Sequence, residues 1–428
     1  MPPVTDPSRF DAKSDLVRTL IERGHVYQAT DLAGLDAAAL RGPITAYIGF
    51  DATASSLHVG SLVQIMTLRR LQQTGHRPIV LMGGGTTKVG DPSDKTSQRP
   101  LLSDAEIAAN IAGIQRAFAP FLRFGGAAND AVMVNNAEWL EALGYVEFLR
   151  EFGVHFTVNR LLTLEFVRSR IEAEQPLTVL EFNYVLMQAV DFLELHRRLG
   201  CTLQFGGSEQ WGNIVNGIDL IRRLDAAEAF GVTAPLVTTS AGVKMGKTVD
   251  GAVWLNPELL GAYDYWQFWR NTDDADVSRF LRLFTDLPLA EIVRLEHLGG
   301  AEINEAKKVL ANEATALLHG REAADDAAST AKAAFEDGRA GDALAGLPAV
   351  GMSAARLKRI SAAELMVSVN FATSNSDARR QIAGGGFRIN GVKVEDANAP
   401  AAFEGGEAEL RKGKTRIRLF LTDEEEHE

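Results

Sequence analysis

The sequence predicts an α/β protein: a doubly wound parallel sheet, then an α-helical domain, then a small α+β unit at the C-terminal end. Three observations predict it. Short apolar runs of strand character alternate with helical patterns through the first half of the chain. Glycine or polar residues stand directly behind each of those runs. After Trp254 the strand rhythm ends and helical patterns take over.

The elements follow in order. Residues 14–40 carry a helical pattern, and 45–50 (Thr-Ala-Tyr-Ile-Gly-Phe) read as a buried strand. Residues 61–73 place Leu62, Ile65, Met66, Leu68 and Leu71 at helical spacing, and Gly75 stops them. A second strand at 77–82 runs into Gly83, Gly84 and Gly85. Ser103 and Glu106 form a capping-box pattern that starts a helix. A third strand at 131–134 ends at Asn135 and Asn136. Residues 177–199 form a long helix, a fourth strand at 201–205 ends at Gly206 and Gly207, and 219–224 belong to a further helix. This is a Rossmann-like alternation, whose ligands lie beyond the carboxyl ends of the strands. Residues 152–170 break the rhythm as an inserted helical connection, a candidate for self-association. Residues 265–319 read as helices, and 322–349, rich in Ala, Asp and Gly, end as a linker. From 361 two helix-like segments, 363–369 and 376–383, precede short strands at 387–394 and 415–421. The expected division is a catalytic domain at 1–240, a helical domain at 241–345, a linker at 346–360, a small unit at 361–422 and an acidic, disordered tail at 423–428.

Composition narrows the class. A chain of 428 residues has room for two or three domains. It has no apolar run of the ~18 residues that a membrane span needs, and the N-terminus lacks the apolar stretch of a secretory signal. Cys201 is the only cysteine, which excludes disulfide scaffolds and Cys-rich metal sites; a cytoplasmic location is the default. The formal net charge is −12, so any RNA contact needs a local basic face. Arg379, Arg380, Arg388, Lys393, Arg411, Lys412 and Lys414 offer one, although a solvated strand of alternating Arg and apolar residues would look the same.

Two stretches carry the strongest chemical signal. His58-Val59-Gly60-Ser61 lies at a strand-to-helix turn, and Lys244-Met245-Gly246-Lys247-Thr248 places two lysines around a glycine. A helix N-terminus with close-approaching glycines, joined by a distant lysine clip, suits a triphosphate whose α-phosphate is attacked. The clip is not a Walker A loop, because three residues rather than four separate Gly242 from Gly246. Tyr184, Gln188 and Asp191 share one face of a helix that is otherwise apolar nearly all round, so the trio faces a cavity. Residues 206–212 put backbone N–H groups and Glu209 where a ribose or phosphate would lie, or form a tight turn capped by Ser208. Residues 90–99 carry Lys95 and Arg99, as a phosphate clamp or a solvated loop. No cluster has metal-ligand spacing and no nucleophile elbow occurs.

These residues resemble the bacterial class I aminoacyl-tRNA synthetases, specifically the tyrosyl-tRNA synthetases, over nearly the whole length. His58 to Ser61 stands where that family has "HIGH", and Lys244 to Thr248 where it has "KMSKS". Tyr47-Ile48-Gly49-Phe50-Asp51-Ala52-Thr53, Gly90-Asp91-Pro92-Ser93 and Gly206 to Asn213 match tyrosyl enzymes, and the unit from 361 is similar to an S4-type RNA-binding domain. Ser61 replaces the second His, Gly246 the Ser, and Glu209 the usual Asp. The resemblance implies tyrosine binding by Tyr47 and Asp191 at the phenol, by Asp91, Tyr184 and Gln188 at the ammonium, and by Gln210. It implies triphosphate contacts from Thr53, His58, Lys95, Arg99, Lys244, Lys247 and Thr248. Gly49, Asp51, Gly60, Ser61, Gly207 and Glu209 would hold the rest of ATP. It further implies Mg2+ travelling with ATP, tRNA(Tyr) as partner, and a homodimer. Attack by an already ionised carboxylate needs no general base. The alternatives are a tryptophanyl-tRNA synthetase, which Tyr47 with Asp191 disfavours, and a non-catalytic RNA-binding protein on the same scaffold.

Overall fold

The apolar run at 45–50 becomes the centre of a six-stranded sheet. The computed structural model describes residues 7–93, 102–240, 242, 245–248, 251–335, 347–401, 403, 406–413 and 415–422; for Ser8, Lys247, Thr248, Gly251 and 333–335 it describes the backbone alone. The chain divides into two compact units, Met1–Leu260 with Thr272–Leu310, and Gly261–Asn271 with Ala311–Glu428.

In the first unit α1 (Asp15–Glu22) is capped by Ser14, whose hydroxyl accepts from Val17 N. Gly24, at φ +80°, ends it. The helical pattern expected over 14–40 is therefore split: β1 (Gln28–Ala29) intervenes before α2 (Leu32–Arg41). Then come β2 (Thr45–Phe50), α3 (Val59–Gln73), β3 (Arg77–Met82), α4 (Asp104–Phe118) and β4 (Val132–Asn135). The Ser103–Glu106 capping box forms at the start of α4. Short helices α5 (Ala137–Leu140), α6 (Tyr145–Glu151), α7 (Val158–Leu161) and α8 (Glu165–Glu172) lead to α9 (Val179–Leu199). A second capping box, Thr178 with Glu181, opens α9, and left-handed Gly200 closes it. Next are β5 (Leu203–Gly207), α10 (Trp211–Asp225), β6 (Phe230–Ala234) and the small hairpin β7 (Lys247–Thr248) and β8 (Gly251–Ala252).

The sheet order is β1-β6-β5-β2-β3-β4. Every pair is parallel except β1 with β6. The winding reverses between β2 and β5, which opens a crevice at their carboxyl ends. Under the sheet, Tyr47, Ile79, Leu81, Val190, Phe192 and Leu220 pack into one buried cluster. At the end of α3, Arg69 and Arg70 both bond Asp286, and Arg23 donates to the carbonyls of Thr285 at 2.9 Å and Leu287 at 2.7 Å.

The remaining helices are α11 (Ala262–Arg270), α12 (Asp274–Phe284), α13 (Leu289–Glu296), α14 (Ile303–His319) and α15 (Arg321–Phe335). α11, the second half of α14 and α15 belong to the second unit. There β9 (Ala349–Ser353), β10 (Phe387–Ile389), β11 (Val392–Lys393), β12 (Glu407–Lys412) and β13 (Thr415–Thr422) form a sheet in the order β11-β10-β12-β13-β9. Helices Ala362–Ser368 and Asn375–Ala383 pack on it through Leu365, Met366, Ala378 and Ile382. Part of the stretch expected to be linker thus enters the sheet, with β9 running parallel to β13. The tail at 423–428 lies outside the described residues.

Candidate active site

A cavity of about 820 Å³ opens at the switch in winding and is lined from β2, β5, α3 and α9. Tyr47, on β2, is fully buried against Phe192, with ring centroids 5.3 Å apart. Its hydroxyl has no hydrogen-bond partner among the described residues. Burial, then the charge of Asp191, pushes that phenol well above its ordinary range. Asp191 reaches the same end from α9. Its Oδ1 accepts from Trp139 Nε1 at 2.8 Å and its Oδ2 from Asn136 Nδ2 at 2.9 Å. Burial lifts this carboxyl to about 7, against the pull of those two donors. Gln204 on β5 sits in register with Tyr47, and its buried Oε1 is likewise without a partner among the described residues.

A second polar group flanks the first. Tyr184 donates to Asp51 Oδ2 at 3.2 Å, and Thr86 donates to Asp51 Oδ1 at 2.9 Å while accepting from Asn136 at 3.0 Å. Beside it runs a chain of amides. Gln188 Nε2 donates to Gln210 Oε1 at 3.1 Å, and Gln210 Nε2 donates to Asp91 Oδ2 at 2.7 Å. The helical trio therefore lines the cavity, as its spacing predicts, with Tyr184 and Asp191 buried.

The other end of the cavity is built on the start of α3. His58 is the N-cap, and its Nδ1 accepts from Gly60 N at 3.0 Å. The segment behind the lysine clip lies on this turn: Val59 N donates to Val253 O at 2.9 Å, and Leu255 N to Leu57 O at 2.9 Å. The approach is close enough to demand glycine twice. A Cβ on Gly60 would fall 2.6 Å from the Met245 carbonyl oxygen. Gly246 has φ +102°, and its Cβ would lie 2.7 Å from Gly60 N and closer still to His58 Nδ1. Gly49, Asp51, Thr53, Ser61, Gly207 and Glu209 all line the cavity. Lys95, Arg99 and Lys244 lie outside the described residues, and only the backbone of Lys247 and Thr248 is described.

The structure adds residues to which the sequence assigns no role: Thr86, Asn136, Trp139, Gln204 and Asn213. Asn136 stood at the end of the third strand, where a ligand-facing residue is expected, and that was the only signal for it. Among the described residues, no group of three or more His, Cys, Asp or Glu side chains could hold a metal ion.

In the C-terminal unit Arg379, Arg380, Arg388 and Lys393 are exposed, and Arg411 and Lys412 half-buried. The sheet register aligns Lys393, Arg388 and Arg411 across three strands. Lys414 lies outside the described residues.

The chain has close relatives among known proteins. Residues 39–336 match the family of tRNA synthetases class I (W and Y). The chain is 58% identical to the tyrosine–tRNA ligase of Rhodospirillum rubrum over 412 residues, 95% of this chain and 98% of that protein. It is 59% identical to the tyrosine–tRNA ligase of Caulobacter sp. over 411 residues, 95% and 97% of the two chains. A C-terminally truncated mitochondrial tyrosyl-tRNA synthetase of Aspergillus nidulans superposes with a TM-score of 0.68 at 28% identity, covering 76% of this chain and 94% of that one.

Proposed function

The chain belongs to the class I tRNA synthetases of the tryptophan and tyrosine group, and within it to the tyrosine–tRNA ligases; from that membership we propose how its residues divide the work. Joining tyrosine to tRNA uses ATP as a substrate. The phenol lies between Tyr47 and Asp191. The ammonium sits at Asp91, Tyr184 and Gln188, with Gln210 beside them. ATP runs along the turn from His58 to Ser61 and the strand end at Gly207 and Glu209, framed by Gly49, Asp51 and Thr53. Lys95, Arg99, Lys244, Lys247 and Thr248 serve the triphosphate.

The tyrosine carboxylate attacks the α-phosphate in line; the new O–P bond forms as the bond to pyrophosphate breaks. No proton has to move, so the site works by placement and by stabilising charge. Mg2+ arrives on the phosphate oxygens as part of the ATP substrate. A hydroxyl of the terminal ribose of tRNA then attacks the tyrosyl carbonyl of the adenylate; the ester bond forms as the bond to the phosphate breaks, and AMP leaves with the hydroxyl proton passing to its phosphate or to solvent. The basic row of the C-terminal unit supports an RNA contact there by Arg379, Arg380, Arg388, Lys393, Arg411, Lys412 and Lys414. The exposed apolar side chains of Tyr145, Val146, Val154, Val158, Ile171 and Val179 support a homodimer formed through the inserted helices. No helix among the described residues is long and apolar enough to cross a membrane, which is compatible with work in the cytoplasm.

One observation carries the pocket assignment: the unpartnered, buried Tyr47 hydroxyl faces the same cavity as the doubly bonded Asp191 carboxyl. A phenol placed there satisfies Tyr47, and phenylalanine would leave it unsatisfied. Tyr47→Phe therefore lowers the preference for tyrosine over phenylalanine in ATP–pyrophosphate exchange by about 10-fold. An unchanged preference overturns the assignment.

A further inference from the structure

Taking the amino end of tyrosine to lie at Asp91, as proposed above, we propose that Asn213 is a positioning residue that sets the direction of the hydrogen bonds around the ammonium. Asn213 stands in the first turn of α10 and is 2% exposed. Its Nδ2 lies 2.9 Å from Gln188 Oε1, 3.2 Å from Gln210 Oε1 and 3.2 Å from Ser93 Oγ.

An amide nitrogen only donates. Gln188 must therefore turn its carbonyl to Asn213, which leaves its Nε2 for Gln210 Oε1 at 3.1 Å. Gln210 must in turn point its Nε2 at Asp91 Oδ2, 2.7 Å away. Donors run one way: Asn213 to Gln188 to Gln210 to Asp91. Ser93 N also donates to Asp91, to Oδ1 at 2.8 Å. Among the described residues Asp91 thus meets donors only and stays a pure acceptor. Tyr184 spends its hydroxyl hydrogen on Asp51, so its oxygen is left to accept. An ammonium carries three hydrogens and no lone pair, and it matches these acceptors. Reversing the chain would turn the Gln210 carbonyl onto the Asp91 carboxylate, acceptor against acceptor.

Asn213→Asp tests this, because aspartate has nearly the same shape and only accepts. Gln188 would then present its Nε2 to residue 213, and the chain would run backwards. The full-length protein is titrated with L-tyrosine and with 3-(4-hydroxyphenyl)propionate, which is tyrosine without its amino group. The expected result is a loss of tyrosine affinity of about 10- to 100-fold, with the propionate bound as tightly as by the parent. Asn213→Ala, which removes the donor without forcing reversal, gives a smaller loss of the same kind. If either variant folds and binds tyrosine like the parent, or loses both ligands in step, the proposal is overturned. Asp91→Asn serves as the control. Unchanged tyrosine affinity in that variant would remove the amino end from Asp91, and the role of Asn213 with it; a loss there beside an unaffected Asn213→Asp would refute Asn213 alone.

Discussion

Replacing Gly246 with alanine should cripple adenylate formation and spare tyrosine binding. At φ +102° a residue with a Cβ is strained by about 1–3 kcal/mol. The new carbon would also lie 2.7 Å from Gly60 N and nearer to His58 Nδ1. Neither neighbour yields easily, because Gly60 N and His58 Nδ1 already bond each other as the cap of α3. Together these costs come to about 3 kcal/mol against the conformation in which Met245 and Gly246 lie on the turn, roughly 150-fold in rate if chemistry needs that conformation. The proposed chemistry does need it, because Lys247 follows directly. Single-turnover formation of tyrosyl-adenylate by rapid quench measures the rate, and equilibrium dialysis measures tyrosine affinity. A rate within about threefold of the parent, with saturating ATP, would refute the reasoning.

Three further outcomes follow from the same structure. The kcat/KM for tyrosine should rise as pH climbs through about 7, where Asp191 loses its proton and becomes a full acceptor, and Asp191→Asn should flatten that profile. The same group binds a proton in the folded state between about 4 and 7 that the unfolded chain does not bind, so its contribution to stability grows as pH falls through that window. Asp286 behaves oppositely: burial alone would raise its carboxyl, but Arg69 and Arg70 hold it well below the usual range. Asp286→Asn, which leaves the buried Arg70 without its charge partner, should cost about 3–5 kcal/mol in urea unfolding at neutral pH, and the gap should narrow as pH drops below about 4, where the unfolded chain's carboxylate takes up a proton that the folded one, held ionised by the two arginines, still refuses. Arg388→Glu should weaken tRNA binding and lower its salt slope by about 1, while tyrosine-dependent pyrophosphate exchange is untouched.

The sequence was most legible where the local signal and the tertiary role agree. The run from Thr45 to Phe50, the capping box at Ser103 and the polar trio on α9 each announce themselves by period or by paired residue types. β1 and β6 do not. Gln28–Ala29 is a strand only because it pairs with Thr233 and Val232, some two hundred residues away, and Phe230–Ala234 is short and carries a glycine. The site shows the same divide. Tyr184, Gln188 and Asp191 stand out as polar groups on an otherwise apolar helix, whereas Tyr47 is marked only by the family resemblance. Asn136, Trp139 and Asn213 act through other side chains, and what they touch becomes visible only when β4, α9 and α10 are brought together.

The parallel pairing of β9 with β13 has a practical corollary for anyone dissecting this protein. Cutting after residue 360, where sequence alone suggests a natural seam, would strip Ala349–Ser353 of its sheet partner, β13. The severed fragment would carry a naked ribbon edge ready to recruit another molecule, and the excised piece would lack its outermost strand. A cleaner separation falls upstream of Leu347, whose side chain is already buried.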